Sequence, residues 1–366
     1  SKIMRIAIIG SHGLYASYGG WDQLVNNLVE KASLNVSYVV FNPKETPVDH
    51  KELPGNVKVI NLPLSAAGYQ GLVFDFISIF IAIFYCRNQL LLGIQGIPIS
   101  AVLKILSFNR LKVVVNIGGV EWERPQFTRF SRWYLKFCFE LSKRFADKVV
   151  IDNEHYLQYF EETFRSSKQL QVIAYGGFID ESIRTSDDSL DLRYPFIGSE
   201  YFLSVSRSIE DNKLFEICEF FRERPLVTLT LISNFSNSDY GLGILRDFSS
   251  VSNIYLIDGL YVKSELDFVR RNCKAYIHSH TLCGSAPSLI EMIVTRKPIL
   301  SIDVPQNRFT LGGSGFFFAK FSELDTVIHL ADLDHFRPDH NYSKSFEWET
   351  VVAKYEACFG GGRIEE

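Results

Sequence analysis

The sequence predicts an α/β protein built as two doubly wound parallel sheets facing a cleft. Three observations carry that expectation. Short apolar runs rich in Val, Ile, Leu and Phe alternate along the chain with longer segments of helical period, the pattern of strands covered on both faces by helices. The alternation is interrupted at Tyr175–Tyr194 by a polar, aperiodic stretch containing Gly176-Gly177, Asp180, Glu181, Asp187, Asp188 and Asp191. The 366 residues suffice for two ordinary cores. The expected division is therefore a first domain over 1–175, a linker over 176–195, a second domain over 196–345, and a closing helix and tail over 346–366 that crosses back to the first domain.

In the first half the apolar runs predict strands at Arg5–Gly10, Val36–Asn42, Val57–Leu62, Gln89–Ile94, Lys112–Ile117, Lys148–Ile151 and Gln171–Ile173. Between the first two, Trp21, Leu24, Val25, Leu28 and Val29 repeat at i, i+3, i+4, i+7 and i+8, one buried stripe of a helix. Ile99–Leu106 forms another, entered from Gly96-Ile-Pro98. Leu72–Cys86 is nearly continuous in apolar residues, but it falls short of the roughly 20 residues a membrane span needs and carries Asp75, so it reads as a buried core helix. In the second half strands are expected at Tyr201–Ser206, Leu226–Ile232, Ile254–Ile257, Ala275–His278 and Pro298–Ile302, and an amphipathic helix at Phe346–Tyr355. Gly360-Gly-Gly362 and the charged end beyond it read as frayed.

Composition narrows the function classes. Hydrophobic residues make up 46% and charged residues 22%, ordinary for a globular chain, and the net charge of −4 argues against nucleic acid as the partner. Thirty Phe and seventeen Tyr point to aromatic-rich cores or to surfaces that meet something greasy. The six cysteines are scattered, with no Cys-x-x-Cys pair, as in a reducing compartment. The first apolar run is a short strand without a cleavage-like segment behind it, which reads as no secretory leader.

Three constellations carry chemistry. Tyr18-Gly19-Gly20-Trp21 stands at the start of the first helix, where bare amides and the positive end of the helix dipole suit a phosphate; the other reading is a glycine pair kept for packing. Gly10 and Gly13 do not match the Gly-x-Gly-x-x-Gly of a dinucleotide turn. In Gly284-Ser285-Ala-Pro287-Ser288-Leu289-Ile-Glu291, Pro287 suits a first helical position and the amides face the strand ends. Glu291 lies one turn in, on the face of Ser288, where a carboxylate can accept from the vicinal hydroxyls of a ribose; a solvated helix glutamate is the alternative. Ser206-Arg207 with Asn212-Lys213 follows the first strand of the second half, where an Arg fork and a Lys fit a diphosphate or a surface ion pair.

Together these motifs resemble the retaining glycosyltransferases of the two-Rossmann type (GT-B), and within them the bacterial branch typified by β-1,4-rhamnosyltransferases of capsule and O-antigen assembly. The resemblance covers nearly the whole chain. It includes Tyr18-Gly-Gly20, Asn116-Ile-Gly-Gly119-Val-Glu121-Trp122-Glu-Arg124, Ser206-Arg207 with Asn212, Gly284–Glu291, Asp303-Val-Pro-Gln-Asn307-Arg308 and the aromatic helix around Trp348. It implies that a nucleotide-diphosphate sugar such as a UDP- or dTDP-sugar is bound by Gly19, Gly20, Arg207, Lys213, Gly284, Ser285, Pro287, Ser288, Leu289 and Glu291. Glu291 would take the ribose, Arg207 and Lys213 the phosphates, and the Gly284-Ser285 turn the sugar. The acceptor, a lipid-diphosphate-linked glycan, would meet Tyr18, Glu121, Trp122 and Arg124, and Arg207 and Glu121 would be catalytic.

The implied reaction is a front-face substitution with retention, in which Arg207, amides and helix dipoles stabilise the departing phosphate. It needs no metal and no further cofactor. Asp332-Leu-Asp334 reads as a solvated loop, and His278-x-His280 lacks a third ligand for zinc. The sequence departs from the superfamily at Cys283, where a glutamate is usual, and at Asn212, where a lysine is. It departs from the branch at Gly118, His12 and Ala286, where Asp, Arg and Asn are usual. The stretch Arg124–Arg144 interleaves Arg129, Arg132, Lys136, Lys143 and Arg144 with Phe127, Phe130, Trp133, Tyr134 and Phe137. It reads either as a solvated basic face over an aromatic core stripe or as a helix lying on an anionic membrane. The implied place is the cytoplasm, at the inner membrane face. A non-catalytic nucleotide-sugar-binding subunit and a nucleotide-sugar epimerase are the rival readings.

Overall fold

The computed structural model describes residues 3–16, 20–48, 53–120, 128–161, 163–164, 169–185, 188–282 and 285–360. Tyr18, Gly19, Glu121, Trp122, Arg124, Cys283, Gly284 and the tail beyond 360 lie outside the described residues. The chain divides into two compact units, the first comprising 1–175 and 348–366 and the second 176–347. The first contains β1 (Met4–Ile9), α1 (Gly20–Glu30), β2 (Val36–Asn42), β3 (Val57–Asn61), α2 (Gly68–Ala82), β4 (Asn88–Leu92), α3 (Ile97–Leu106), β5 (Lys112–Gly118), α4 (Arg129–Phe145), β6 (Lys148–Ile151), α5 (His155–Glu161) and β7 (Leu170–Val172). The second contains α6 (Asp188–Arg193), β8 (Tyr201–Val205), α7 (Leu214–Arg222), β9 (Thr228–Ser233), α8 (Asp239–Phe248), β10 (Ile254–Asp258), α9 (Lys263–Asn272), β11 (Ala275–His278), α10 (Pro287–Thr295), β12 (Ile299–Ile302), α11 (Pro305–Leu311), β13 (Phe316–Phe318) and α12 (His340–Lys344). α13 (Trp348–Ala357) returns to the first unit. No helix of the described residues is long and apolar enough to cross a membrane.

The first unit's sheet runs β3-β2-β1-β4-β5-β6-β7, and every recorded pair is parallel. Its strands are apolar on both faces because both faces are covered. Ile6 and Ile8 point to one side, where they meet Leu24, Val25, Leu28 and Val29 of α1 and Trp348, Val351, Val352 and Tyr355 of α13. Ala7 and Ile9 point to the other, where α2, α3 and α4 supply Phe74, Ile79, Ile97, Cys138 and Phe139. α13 is held by more than packing. The fully buried Glu356 accepts from the Ser33 amide at 3.0 Å, from the Ser33 hydroxyl, and from Tyr38 Oη at 3.2 Å, and Tyr355 Oη accepts from Asn116 Nδ2 at 2.7 Å.

The second sheet runs β10-β9-β8-β11-β12-β13, again parallel. β13 is absent from the sequence expectation: three phenylalanines behind Gly312-Gly313-Ser-Gly315 make an edge strand too short to show a period. Residues 176–195 are built into this unit. The Asp180 amide donates to Asp267 Oδ2 at 2.8 Å, Lys263 Nζ donates to the Phe178 carbonyl at 2.5 Å, and Leu190 and Tyr194 are buried.

One expectation for a helix is corrected. α2 is not buried all round: Phe74, Asp75, Ser78, Ile79 and Ala82 face the sheet, while Tyr69, Val73, Ile77 and Phe80 face outward. The helix packs on the interior strand β1 and beside α3, and among the described residues nothing covers its far face.

Candidate functional site

Doubly wound sheets bind ligands beyond the carboxyl ends of their strands, at the point where strand order reverses. In the second unit that point lies between β8 and β11. A cavity of about 370 Å³ opens there, walled by Val205 to Asn212 after β8 and by His280, Leu282, Ala286, Pro287 and Ser288 after β11. Arg207, Ser288 and Pro287, three of the sequence-predicted donor residues, are thus brought together.

Arg207 is exposed at the strand end and has no ion-pair partner among the described residues. Its backbone is fixed from below: Asn212 Nδ2 donates to the Arg207 carbonyl at 2.9 Å, and the Ile209 amide donates to the same carbonyl at 2.9 Å. Ser208 is held by Asn234 Oδ1 at 2.9 Å and by the Ser233 hydroxyl at 2.7 Å. Asn212 therefore has a structural task. Ser279 Oγ donates to the Asn212 carbonyl at 2.5 Å and Thr281 Oγ1 to the Asp211 carbonyl at 2.9 Å, tying the two walls together. On the far wall, Pro287 opens α10 with Ala286 extended before it; the Leu289 and Ile290 amides turn back to the Ala286 carbonyl, at 3.0 and 3.1 Å, which leaves the Ser288 amide as the open donor of the first turn among the described residues.

His280 lines this cavity and His278 lies directly behind it, with ring centroids 4.3 Å apart. Both ring nitrogens of His278 and Nε2 of His280 are buried without a hydrogen-bond partner among the described residues. Burial pushes the His280 pKa down to about 4, aided by the positive charge of Arg207, and pushes His278 well below its ordinary value, aided by His280. Both rings are neutral near pH 7. The spacing of these histidines was visible in the sequence, but their place behind the cavity wall was not.

Other predicted donor residues sit differently. Lys213 caps α7 with a left-handed backbone, and its ammonium lies 3.5 Å from Glu216 rather than in the cavity wall. Leu289 is fully buried and packs. Ser285 is buried beside Ala286. Glu291 is one turn below Ser288, largely buried, and joins a charged cluster that the sequence reading missed. Its Oε2 lies 3.0 Å from Lys263 Nζ and 3.9 Å from Arg270 Nη1. Both cations also bind the fully buried Asp267, at 2.6 and 2.8 Å. Burial raises the Glu291 pKa, with Arg270 and Lys263 pulling against it. The Lys-x-x-x-Asp-x-x-Arg spacing on α9 was the available signal, since it places all three on one helix face. Oε1 of Glu291 has no protein partner among the described residues and remains an acceptor.

In the first unit, Gly20 opens α1 in an ordinary backbone conformation, and a Cβ there would lie 2.9 Å from the Tyr175 ring. Packing therefore explains this glycine. The loop before it is fixed by Asn42, whose side chain binds both the amide and the carbonyl of Leu14, at 2.9 and 3.1 Å. His12 donates its amide to the buried Asp22 in the first turn of α1, at 3.0 Å. A buried carboxylate thus stands in the first turn of the helix at whose start the sequence places a phosphate. Gly118 ends β5 with φ +65°, and a Cβ would meet the Trp21 indole at 3.6 Å. Among the described residues no group of three or more His, Cys, Asp or Glu side chains is placed to hold a metal ion.

Whole-chain comparison with solved structures gives the architecture its relatives. A glycosyltransferase from Rickettsia africae superposes with a TM-score of 0.71 at 12% identity, covering 99% of this chain and 100% of its own. Sucrose-phosphate synthase from Thermosynechococcus elongatus gives 0.70 at 15% identity over 98% of both chains. Anabaena HepE in complex with UDP and glucose gives 0.68 at 14% identity, over 98% of this chain and 99% of its own. The fold is that of the GT-B glycosyltransferases. At these identities the likeness is one of fold. Residues 3–178 match the family model described as a domain of unknown function, DUF1972. A sequence search among curated proteins finds no match.

Proposed function

We propose that the protein is a glycosyltransferase that holds a nucleoside-diphosphate sugar in the cavity between β8 and β11. The observation that carries this reading is a guanidinium, Arg207, with no ion pair among the described residues, lining one cavity with the positive N-terminal end of α10 at the sheet's reversal point. Two positive sources converging on one small space suit a diphosphate better than any neutral ligand. The free Oε1 of Glu291, one turn further along α10, suits a ribose hydroxyl. The solved HepE structures, of the same fold, contain UDP and UDP-glucose.

In the proposed reaction the bond between the sugar's anomeric carbon and the diphosphate oxygen breaks as an acceptor hydroxyl attacks the same face. The hydroxyl proton passes to the departing phosphate, and configuration is retained. Arg207, the Ser288 amide and the positive end of the α10 dipole take up the negative charge that develops on the diphosphate, so no divalent cation is required. Neutral His280 offers the cavity one hydrogen bond without adding charge. By the resemblance of its motifs, the donor sugar is rhamnose or another hexose, the acceptor a lipid-linked glycan of bacterial O-antigen or capsule synthesis, and the site of work the cytoplasmic membrane face.

The test is a panel of UDP-, dTDP- and GDP-sugars, first by thermal shift and then with a lipid-diphosphate-linked acceptor, with the product's anomeric configuration read by NMR. Transfer with retention is expected. Binding without transfer of any sugar would overturn the enzymatic reading.

A further inference from the structure

The first unit presents an apolar face that its own core leaves uncovered. Along α2, Tyr69, Val73, Ile77, Phe80 and then Phe84 follow spacings of four, four, three and four, a single stripe turned away from the sheet. α3 packs beside α2 and adds Ile105 and Leu106, and α4 packs beside α3 and adds Phe130, Trp133 and Phe137. Trp133 stacks on Phe137 with centroids 6.0 Å apart, yet it is 62% exposed. Just past α3, Phe108 is 87% exposed and is held at φ +54°, a left-handed backbone that bulky residues avoid. That conformation closes α3, with the Phe108 amide on the Ile105 carbonyl at 3.0 Å and the Asn109 amide on the Lys104 carbonyl at 2.9 Å, and it leaves the ring in the open.

Two further features say what this face meets. A cavity of about 530 Å³ opens between the ends of α2 and α3, walled by Ile83, Leu103 and Leu111 and lipped by Phe84 and Phe108. Arg87 and Arg110 stand at its mouth, exposed and without an ion pair among the described residues. On α4 the exposed aromatics alternate with Arg129, Arg132 and Lys136, while Glu140, the helix's one acid, pairs with Lys143 at 2.7 Å. A protein partner would call for a charge-depleted apolar centre. Aromatics interleaved with cations, beside a greasy cavity with a cationic mouth, match the boundary between phospholipid headgroups and acyl chains.

We propose that this face seats the protein on an anionic phospholipid bilayer, with one acyl chain entering the α2–α3 cavity and its phosphate meeting Arg87 and Arg110. The proposal stands on the first unit alone and does not depend on the transferase reading. It extends the basic α4 helix, recognisable in the sequence, to a surface on which α2 and α3 supply most of the apolar contact.

The test is flotation of the full chain with vesicles of phosphatidylcholine alone or with 30% phosphatidylglycerol. The wild type is expected to float with the anionic vesicles and to be weakened by salt. The triple substitution Phe84→Ser, Leu106→Ser, Phe108→Ser is expected to lose at least tenfold in partitioning, and Arg87→Glu with Arg110→Glu to lose the preference for anionic lipid. All altered side chains are exposed, so circular dichroism should show unchanged folding. Acyl-brominated lipid should quench fluorescence in the wild type, and much less in Trp133→Phe. Equal flotation of wild type and triple variant, no anionic preference in the wild type, or quenching that survives Trp133→Phe would each overturn the proposal.

Discussion

At the scale of single residues, the proposed donor pocket rests on Arg207 and on two histidines that stay neutral. Arg207 is exposed and makes no ion pair among the described residues, so Arg207→Ala should leave the unfolding midpoint unchanged while lowering transfer by about 10²–10³-fold, the usual loss when one donor to a developing anion is removed. Steady-state kinetics beside a thermal melt checks both halves. The histidines make a different prediction. His280 has a folded pKa of about 4, below the ordinary value of about 6.5. As pH falls from about 6.5 towards 4, the unfolded chain gains a proton that the folded chain refuses, so stability is lost across that window. For His280 the loss is on the order of 3 kcal/mol, and His278 adds to it in the same direction. Urea unfolding at pH 7 and pH 5 should show the drop in the wild type and a smaller one in His280→Gln. Residue-level legibility in the sequence was uneven. The Pro287–Glu291 pattern announced a helix start and its acceptor, because proline and spacing are local signals. That Lys213 turns to Glu216, and that Glu291 shares Lys263 and Arg270 with Asp267, depends on how distant helices pack, which no spacing encodes.

At the scale of elements, three helices carry buried acids with opposite consequences. Asp75, in the apolar α2, is pushed up to about 7 by burial, with the Gln95 amide at 2.5 Å pulling the other way. Between about pH 4 and 7 the unfolded chain has released this proton and the folded chain has kept it, so stability declines as pH rises. Asp75→Asn, which cannot ionise, should remove that decline and be more stable than wild type at pH 8 by about 2–4 kcal/mol, measured by chemical denaturation. Asp267 in α9 behaves otherwise. Fully buried between Arg270, Lys263 and the Asp180 amide, it leaves the two cations with Glu291 alone, and the buried Arg270 with only a 3.9 Å contact, when removed. Asp267→Ala should cost about 3–5 kcal/mol by the same measurement. Glu356 anchors α13 to β2 through Tyr38 and Ser33, and Glu356→Ala should cost about 1–3 kcal/mol by leaving those donors unpaired. α2 also shows where pattern reading stops. A helix apolar all round reads the same from sequence whether its second face meets protein or lipid.

At the scale of the whole molecule, alternation of strand and helix was enough to foresee two parallel sheets, because parallel sheets must be covered on both faces and their strands therefore run apolar throughout. The crossing of α13 back to the first unit was foreseen from the resemblance, and Trp348, Val351 and Val352 meet Ile6 and Ile8 there. β13 escaped because three residues cannot display a period. The topology places a cavity at the reversal between β8 and β11, where two strand ends leave a gap, and this is the proposed donor pocket. The central claim is that this gap holds a nucleoside diphosphate between Arg207 and α10. Its most direct test is calorimetric titration of UDP, dTDP and GDP into the wild type and Arg207→Ala. The account predicts saturable binding of at least one of them to the wild type, weakened tenfold or more in the variant. Absence of binding by all three, or equal affinity in the two proteins, would contradict it.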